Sequence, residues 1–328
     1  MNTGKPYPLN STLPGVEGKN TYRPPFFLFN GHLETIYPAV FRKVSLPPYE
    51  RERITTPDQD FLDLDWLRQG SSRLMIISHG LEGDSTRAYI RGMARAGWMN
   101  GFDVLAWNYR GCSGEMNRQL RFYHSGATDD LGTVIHHARK QYQEIFLVGF
   151  SLGGNLTLKF LGEQAPYPEI KKAIVFSVPL NLYTSVLKIS EPSNVLYAGR
   201  FLTSLKKKVT EKKKIFPELD TQGIEKIKTL QQFDDRYTAP LHGFPTALEY
   251  YERCSSIHFL KTITTPVLIV NALNDPFLSK DCFPGEQFRN HSAVQIEHPP
   301  YGGHVGFSQF RKNGLYWSDE RALQFFLH

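Results

Sequence analysis

Short apolar runs alternate along this chain with longer segments whose apolar positions recur at helical spacing. The run Arg73-Leu74-Met75-Ile76-Ile77-Ser78 has no polar residue between its ends, which predicts a strand buried on both faces. A helix is expected over Thr86–Asn100, then a second buried strand in Phe102-Asp103-Val104-Leu105-Ala106-Trp107. A helix over Thr128–Gln141, the strand EIFLVGF, a helix from Leu152 and the run KKAIVFSVP repeat the unit. Such alternation predicts an α/β class, with a mostly parallel central sheet and helices on both faces. Upstream, RERITTPD and DFLDLDWL alternate more simply and read as a hairpin.

The rhythm breaks after Pro179. Residues 181–262 hold helix-like stretches with charged faces and no convincing buried strand. The sheet resumes at Pro266-Val267-Leu268-Ile269-Val270-Asn271 and gains another strand at Ala293–Glu297; Ser318–His328 reads as a closing helix. The expected organisation is a core of 51–180 and 263–328 carrying a helical insertion at 181–262, preceded by an extension, 1–50, docked on the core. Within that extension, residues 1–25 are rich in Pro, Gly, Asn and Thr and are expected to wrap over the surface. The following PPFFLFNGHLETIYPAVFRK is too polar and too broken by proline to cross a membrane. It reads as a docked N-terminal element.

Composition narrows the class further. With 328 residues, 41% hydrophobic and 21% charged, the chain reads as a globular protein with a sizeable core. The net charge of +6 owes part of its size to Lys206-Lys207-Lys208 and Lys212-Lys213-Lys214. That stretch is expected to be a solvated helix face or loop, the alternative being peripheral contact with an anionic lipid surface. Nothing resembles a nucleic-acid-binding module. Cys112, Cys254 and Cys282 are odd in number and widely spaced, which suits a reducing compartment and offers no metal-ligand spacing. No signal-peptide pattern or membrane-length apolar stretch is found, so a cytoplasmic location is expected.

Candidate chemistry begins at Gly149-Phe150-Ser151-Leu152-Gly153. A serine hydroxyl needs a base to take its proton and a third group to orient that base. The G-x-S-x-G pattern alone is weak, but here a buried strand precedes it and an amphipathic helix follows, as its strained turn requires. A carboxylate is expected after a later strand, and Asp275 in Asn274-Asp275-Pro276 supplies it, with Asp281 a competitor farther from the strand end. The base is expected after the next strand. There His304, among Gly302, Gly303 and Gly306, is favoured over His298, which two prolines stiffen. Backbone N–H groups of Leu152 and Leu81 are the expected oxyanion donors, with His79 holding the Leu81 loop by hydrogen bonds.

These segments resemble the YheT-like branch of the α/β-hydrolase superfamily, related to the ABHD-type esterases and lipases. The carrying motifs are NGHLETIYP, SHGLEGDSTRAY, NYRGCSG, GFSLGGN, NDPF and GGHVGF, spread over nearly the whole chain. The resemblance implies an α/β-hydrolase fold, a charge-relay triad of Ser151, Asp275 and His304, and an oxyanion hole at Leu81 and Leu152. It implies that 181–262 forms a lid, and that carboxylic esters or acylglycerols are hydrolysed without metal or organic cofactor. A thioesterase, amidase, phospholipase or non-catalytic binding role are the alternatives. Gln309 stands where an acyltransferase-type His-x-x-x-x-Asp would place an acid. Other residues attract attention. His32 reads as packed, Asp129 and Asp130 as acids opening a helix, and Arg110 as structural. Leu182, Tyr183, Val186 and Leu187 read equally well as acyl-pocket lining or as helix core.

Overall fold

The computed structural model describes residues 22–164 and 166–328, so most of the stretch expected to wrap over the surface lies outside the described residues. Eight strands form one sheet: β1 (Glu50–Thr55), β2 (Phe61–Leu67), β3 (Arg73–Ser78), β4 (Asp103–Asn108), β5 (Glu144–Phe150), β6 (Ile170–Phe176), β7 (Val267–Val270) and β8 (Val294–Glu297). Their order is β1-β2-β4-β3-β5-β6-β7-β8. The hairpin of β1 and β2 adds antiparallel to β4, and every other pairing is parallel. This is an α/β-hydrolase fold.

The helices are α1 (Gly31–Phe41), α2 (Ala88–Met99), α3 (Thr128–Ala138), α4 (Leu152–Glu163), α5 (Leu182–Ile189), α6 (Val195–Lys213), α7 (Leu230–Phe233), α8 (Ala239–Leu241), α9 (Ala247–Cys254) and α10 (Trp317–Leu327). Strand pleat divides the core into two layers. Leu74, Ile76, Leu105, Trp107, Ile145 and Leu147 face α3 and α4 on one side. Met75, Ile77, Val104, Ala106, Phe146 and Val148 face α2 and α10 on the other. Burial on both faces explains why these strands read as unbroken apolar runs.

Register sets where function can sit. Trp107, Ser78, Gly149, Val175, Ile269 and Ile296 form one row across the parallel strands. The residues that follow each of them therefore emerge on one edge, the carboxyl edge. The chain also reverses its order there, since β3 lies between β4 and β5. Open α/β sheets bind ligands at such a reversal.

Between β6 and β7 the chain is helical, from α5 through α9, with a wide π-type turn over Asp234–Thr238. The expectation of a solvated lysine face fails here in part. Lys207 and Lys214 are exposed, but Lys212 is fully buried and donates to Asn117 O, Asn117 Oδ1 and Gln119 O at 3.0, 2.6 and 2.5 Å. Helical spacing places Lys208 on the same inward side. Arg110 is buried as well, bonded to Asp58, Asp60 and Asp130, which fixes the turn after β4.

Candidate active site

Ser151 joins β5 directly to α4, and the turn leaves no room. Its backbone sits at φ 53°, ψ −120°, a region that L-residues occupy only under constraint. A Cβ on Gly149 would lie 2.6 Å from Gly153 O, and one on Gly153 would collide with the carbonyls of Ser78 and His79. The glycines around the serine are thus dictated by close backbone approach. Of the six non-glycine residues with positive φ among the described residues, five are Glu82, Ser151, Ser177, Val305 and Phe307, all on loops at the carboxyl edge. Local strain is concentrated where the candidate chemistry lies.

The structure brings Ser151, Asp275 and His304 together. His304 Nε2 lies 3.0 Å from Ser151 Oγ, and His304 Nδ1 lies 2.9 Å from Asp275 Oδ2 and 3.1 Å from Oδ1. With a carboxylate at Nδ1, the imidazole carries its proton there and offers Nε2 as acceptor to the serine hydroxyl. Asp275 is buried, and the Phe277 ring packs over the imidazole at 4.3 Å between centroids. The competitors do not join. His298 packs against Phe283, and Asp281 is exposed.

Leu81 and Leu152 line the same cavity as Ser151 and His304. A Cβ on Gly80 would stand 3.2 Å from Ser151 Cβ, so the Leu81 loop runs directly past the serine. That loop is held on several sides. His79 is buried, with Nδ1 2.8 Å from Gly80 O and Nε2 accepting from Tyr109 N at 3.2 Å. Burial pulls its pKa down to about 4, so it is a neutral imidazole. Tyr89 Oη accepts from Gly80 N at 3.0 Å. Next to Leu81, the Glu82 carboxylate accepts from Tyr123 Oη, Ser204 Oγ and Lys208 Nζ at 2.7, 2.5 and 2.7 Å. Burial alone would raise the Glu82 pKa; Lys208 and the hydroxyls outweigh it and bring it below the usual value.

A second set of contacts was not singled out from sequence. Glu34 in α1 is fully buried, accepting from Asn274 Nδ2 at 2.7 Å and from Gly302 N at 2.6 Å. Thr35 Oγ1 accepts from His304 N at 2.8 Å. Asn274 Oδ1 in turn accepts from Gly303 N at 3.0 Å. One helical turn thereby ties the Asp275 loop to the His304 loop. A Cβ on Gly31 or Gly306 would collide with the backbone of Asn274 or Glu34, so the contact is backbone-close. Burial raises the Glu34 pKa, and the hydrogen bonds from Asn274 and Gly302 offset only part of it. The available signal was an acid in an otherwise apolar and aromatic run. His32, beside it, meets Tyr197 Oη at 3.3 Å.

The cavity has a volume of about 130 Å³. Its apolar wall includes Leu182, Val186, Ile189, Phe201, Leu205 and Phe277. Leu182 and Val186 line it, whereas Tyr183 and Leu187 are exposed, as the helical period of α5 requires. Among the described residues no group of three or more His, Cys, Asp or Glu side chains is placed to hold a metal ion.

Comparison with known proteins agrees with this fold. The family model described as "Serine aminopeptidase, S33" (Hydrolase_4) matches residues 69–293. The chain is 32% identical over 289 residues to the Escherichia coli (strain K12) protein named as esterase YheT, covering 85% of this chain and 84% of that one. It is 30% identical over 300 residues to phospholipase ABHD3 of Bos taurus, covering 88% and 73%. Among solved structures, the esterase Pf2001 of Pyrococcus furiosus superposes with a TM-score of 0.56 at 16% identity, covering 87% and 95%. That last likeness is one of fold. Among the described residues no helix is long and apolar enough to cross a membrane.

Proposed function

The chain belongs to the YheT-like branch of the α/β-hydrolase superfamily, and from that premise we propose that it cleaves carboxylic esters through an acyl-enzyme. The substrates are acyl esters of short to medium chain or acylglycerols. The observation that carries this reading is the unbroken relay from Ser151 through His304 to Asp275, at 3.0 and 2.9 Å, opening on a cavity with an apolar wall.

In this mechanism His304 takes the proton from Ser151 Oγ as it attacks the ester carbonyl. Asp275 keeps the imidazole in the right tautomer and stabilises the imidazolium. The N–H groups of Leu81 and Leu152 receive the oxyanion, the second from a helix N-terminus that favours negative charge. His304 then protonates the leaving alkoxide and activates water to release the acid. The insertion at 181–262 serves as the lid that shields the cavity, and Leu182 and Val186 contribute to the acyl wall.

The test is hydrolysis of p-nitrophenyl esters of increasing acyl length by the wild type and by Ser151→Ala. Turnover should fall by at least about 10⁴-fold in the variant, with unchanged unfolding behaviour. A variant that keeps its turnover removes Ser151 from the mechanism. The family model carries a peptidase description, so an aminoacyl p-nitroanilide belongs in the same series. Faster turnover of that amide than of any ester would move the substrate class from esters to amides.

A further inference from the structure

Away from the serine, the cavity has a polar wall that the proposed chemistry does not use. Asp234, Thr238, His124, Tyr250 and Tyr251 all line it. They are neighbours through a closed circuit of contacts. Tyr251 Oη and Thr238 Oγ1 each donate to the Asp234 carboxylate at 2.6 Å. His242 Nδ1 donates to Thr238 O at 2.6 Å, and the His242 and His124 rings lie 4.5 Å apart. Tyr250 closes the circuit, 5.7 Å from His124 and 5.2 Å from Tyr251 between ring centroids. The π-type turn over Asp234–Thr238 is what sets Asp234 and Thr238 on this wall. Such turns recur at functional sites.

Two members of the circuit have capacity to spare. Asp234 is bonded by two hydroxyls and by no lysine or arginine among the described residues. A carboxylate offers about four lone-pair positions, so about two remain. Burial pushes its carboxyl up to about 6, the expected response of an acid with no cation beside it. His124 Nδ1 accepts from Gly126 N at 3.1 Å, which puts the imidazole proton on Nε2. That Nε2–H has no acceptor among the described residues. The wall therefore presents an unused acceptor and an unused donor in an otherwise apolar cavity. A hydroxyl group satisfies both, since it donates and accepts at once. An ammonium would leave the His124 donor unmet and would be costly to desolvate here.

We propose that His124 and Asp234 form a hydroxyl-recognition subsite, and that the preferred substrates are esters carrying a free hydroxyl group that reaches this wall. The proposal rests on the ester-hydrolase reading above. The hydroxyl can reside on the acyl chain or on the alcohol. Two arms separate them: terminally hydroxylated against plain p-nitrophenyl alkanoates of equal chain length, and monohexanoylglycerol against propyl hexanoate.

The wild type should prefer the hydroxylated ester in one arm by about tenfold or more in kcat/KM, since a site built for a hydroxyl discriminates strongly against its absence. In Asp234→Asn and His124→Leu that ratio should fall towards one, with the larger loss on the hydroxylated ester. Asp234→Asn can loosen Tyr251, so the wild-type ratio and the His124 variant decide if that protein does not fold. A wild-type ratio within about twofold of one in both arms overturns the subsite. So does an equal loss on both esters in the folded variants. A labelling experiment with a fluorophosphonate keeps the two readings apart. Labelled protein that turns over plain esters without hydroxyl preference sinks the subsite alone, whereas unlabelled, inactive protein sinks the hydrolase reading beneath it.

Discussion

Two glutamates are buried beside the candidate catalytic loops, and they are buried in opposite ways. Glu34 sits in α1 with only an amide and a backbone N–H for partners among the described residues, and its pKa is raised. Glu82 follows Leu81 and is met by Lys208 from α6, with side chains 7% and 12% exposed, and its pKa is lowered. Burial acts on both in the same direction; the Lys208 cation, helped by the Tyr123 and Ser204 hydroxyls, reverses it at Glu82. The Asp275 and His304 loops are thus held to α1 by uncharged donors, one side-chain amide and one backbone N–H, which fix distance. The Leu81 loop is held to α6 by a buried ion pair, which fixes charge and depends on both partners being present.

That contrast predicts its largest consequence at Glu82. Replacing it by Gln leaves the Lys208 ammonium enclosed without a counter-charge, and breaking a buried pair on one side typically costs about 3–5 kcal/mol. Urea unfolding of Glu82→Gln should show a loss of that order, and the double variant Glu82→Gln, Lys208→Met should recover most of it. If the double variant is no more stable than the single one, the pair is not what anchors α6 to the Leu81 loop.

At Glu34 the expected effect is smaller and falls on rate. Glu34→Ala orphans Gly302 N and Asn274 Nδ2, each costing about 1–3 kcal/mol if left unpaired. The Asp275 and His304 loops then lose the tie that sets their separation, so kcat should fall by about 10–100-fold with KM nearly unchanged. Glu34→Gln, which can still accept from Gly302 N, should retain much of the rate. A rise in KM with kcat preserved would mean that α1 shapes binding and not the relay.

Neither glutamate was legible as a clamp in the sequence, although the elements around them were. The parallel strands announced themselves because burial on both faces erases polar residues. The G-x-S-x-G turn stood out because its glycines are sterically obligatory. Asp275 and His304 followed from chain order, since each leaves its own strand on one edge. The lysine stretch misled because composition does not say which side of a helix meets a groove. Lys212 lies near the C-terminal end of α6, and its acceptors are the Asn117 side chain and the backbone carbonyls of Asn117 and Gln119, which no pattern marks. Likewise Glu34 reaches Gly302 across 268 positions, a contact set by packing of α1 against two loops. Local spacing carries no trace of it.

If burial without a cation is what raises an acid here, Asp234 extends the comparison to the helices between β6 and β7. Its native pKa is about 6 against an ordinary value of 3.8, so between those values the folded state holds a proton that the unfolded state has lost. Its contribution to stability is then complete below about pH 3.8 and is lost as pH rises through about 6. His79 opposes it on the core side. With a native pKa near 4 against 6.5, its buried neutral ring costs stability as pH falls through that window. In the wild type the two slopes partly cancel. Asp234→Asn removes one of them, so its stability relative to wild type should improve with rising pH, by up to about 1.4 kcal/mol per pH unit between about pH 4 and pH 6. Urea midpoints of the two proteins across that window measure the difference directly. Parallel midpoint curves would show that Asp234 keeps an ordinary pKa despite its burial, and that burial without a cation is not enough to raise an acid here.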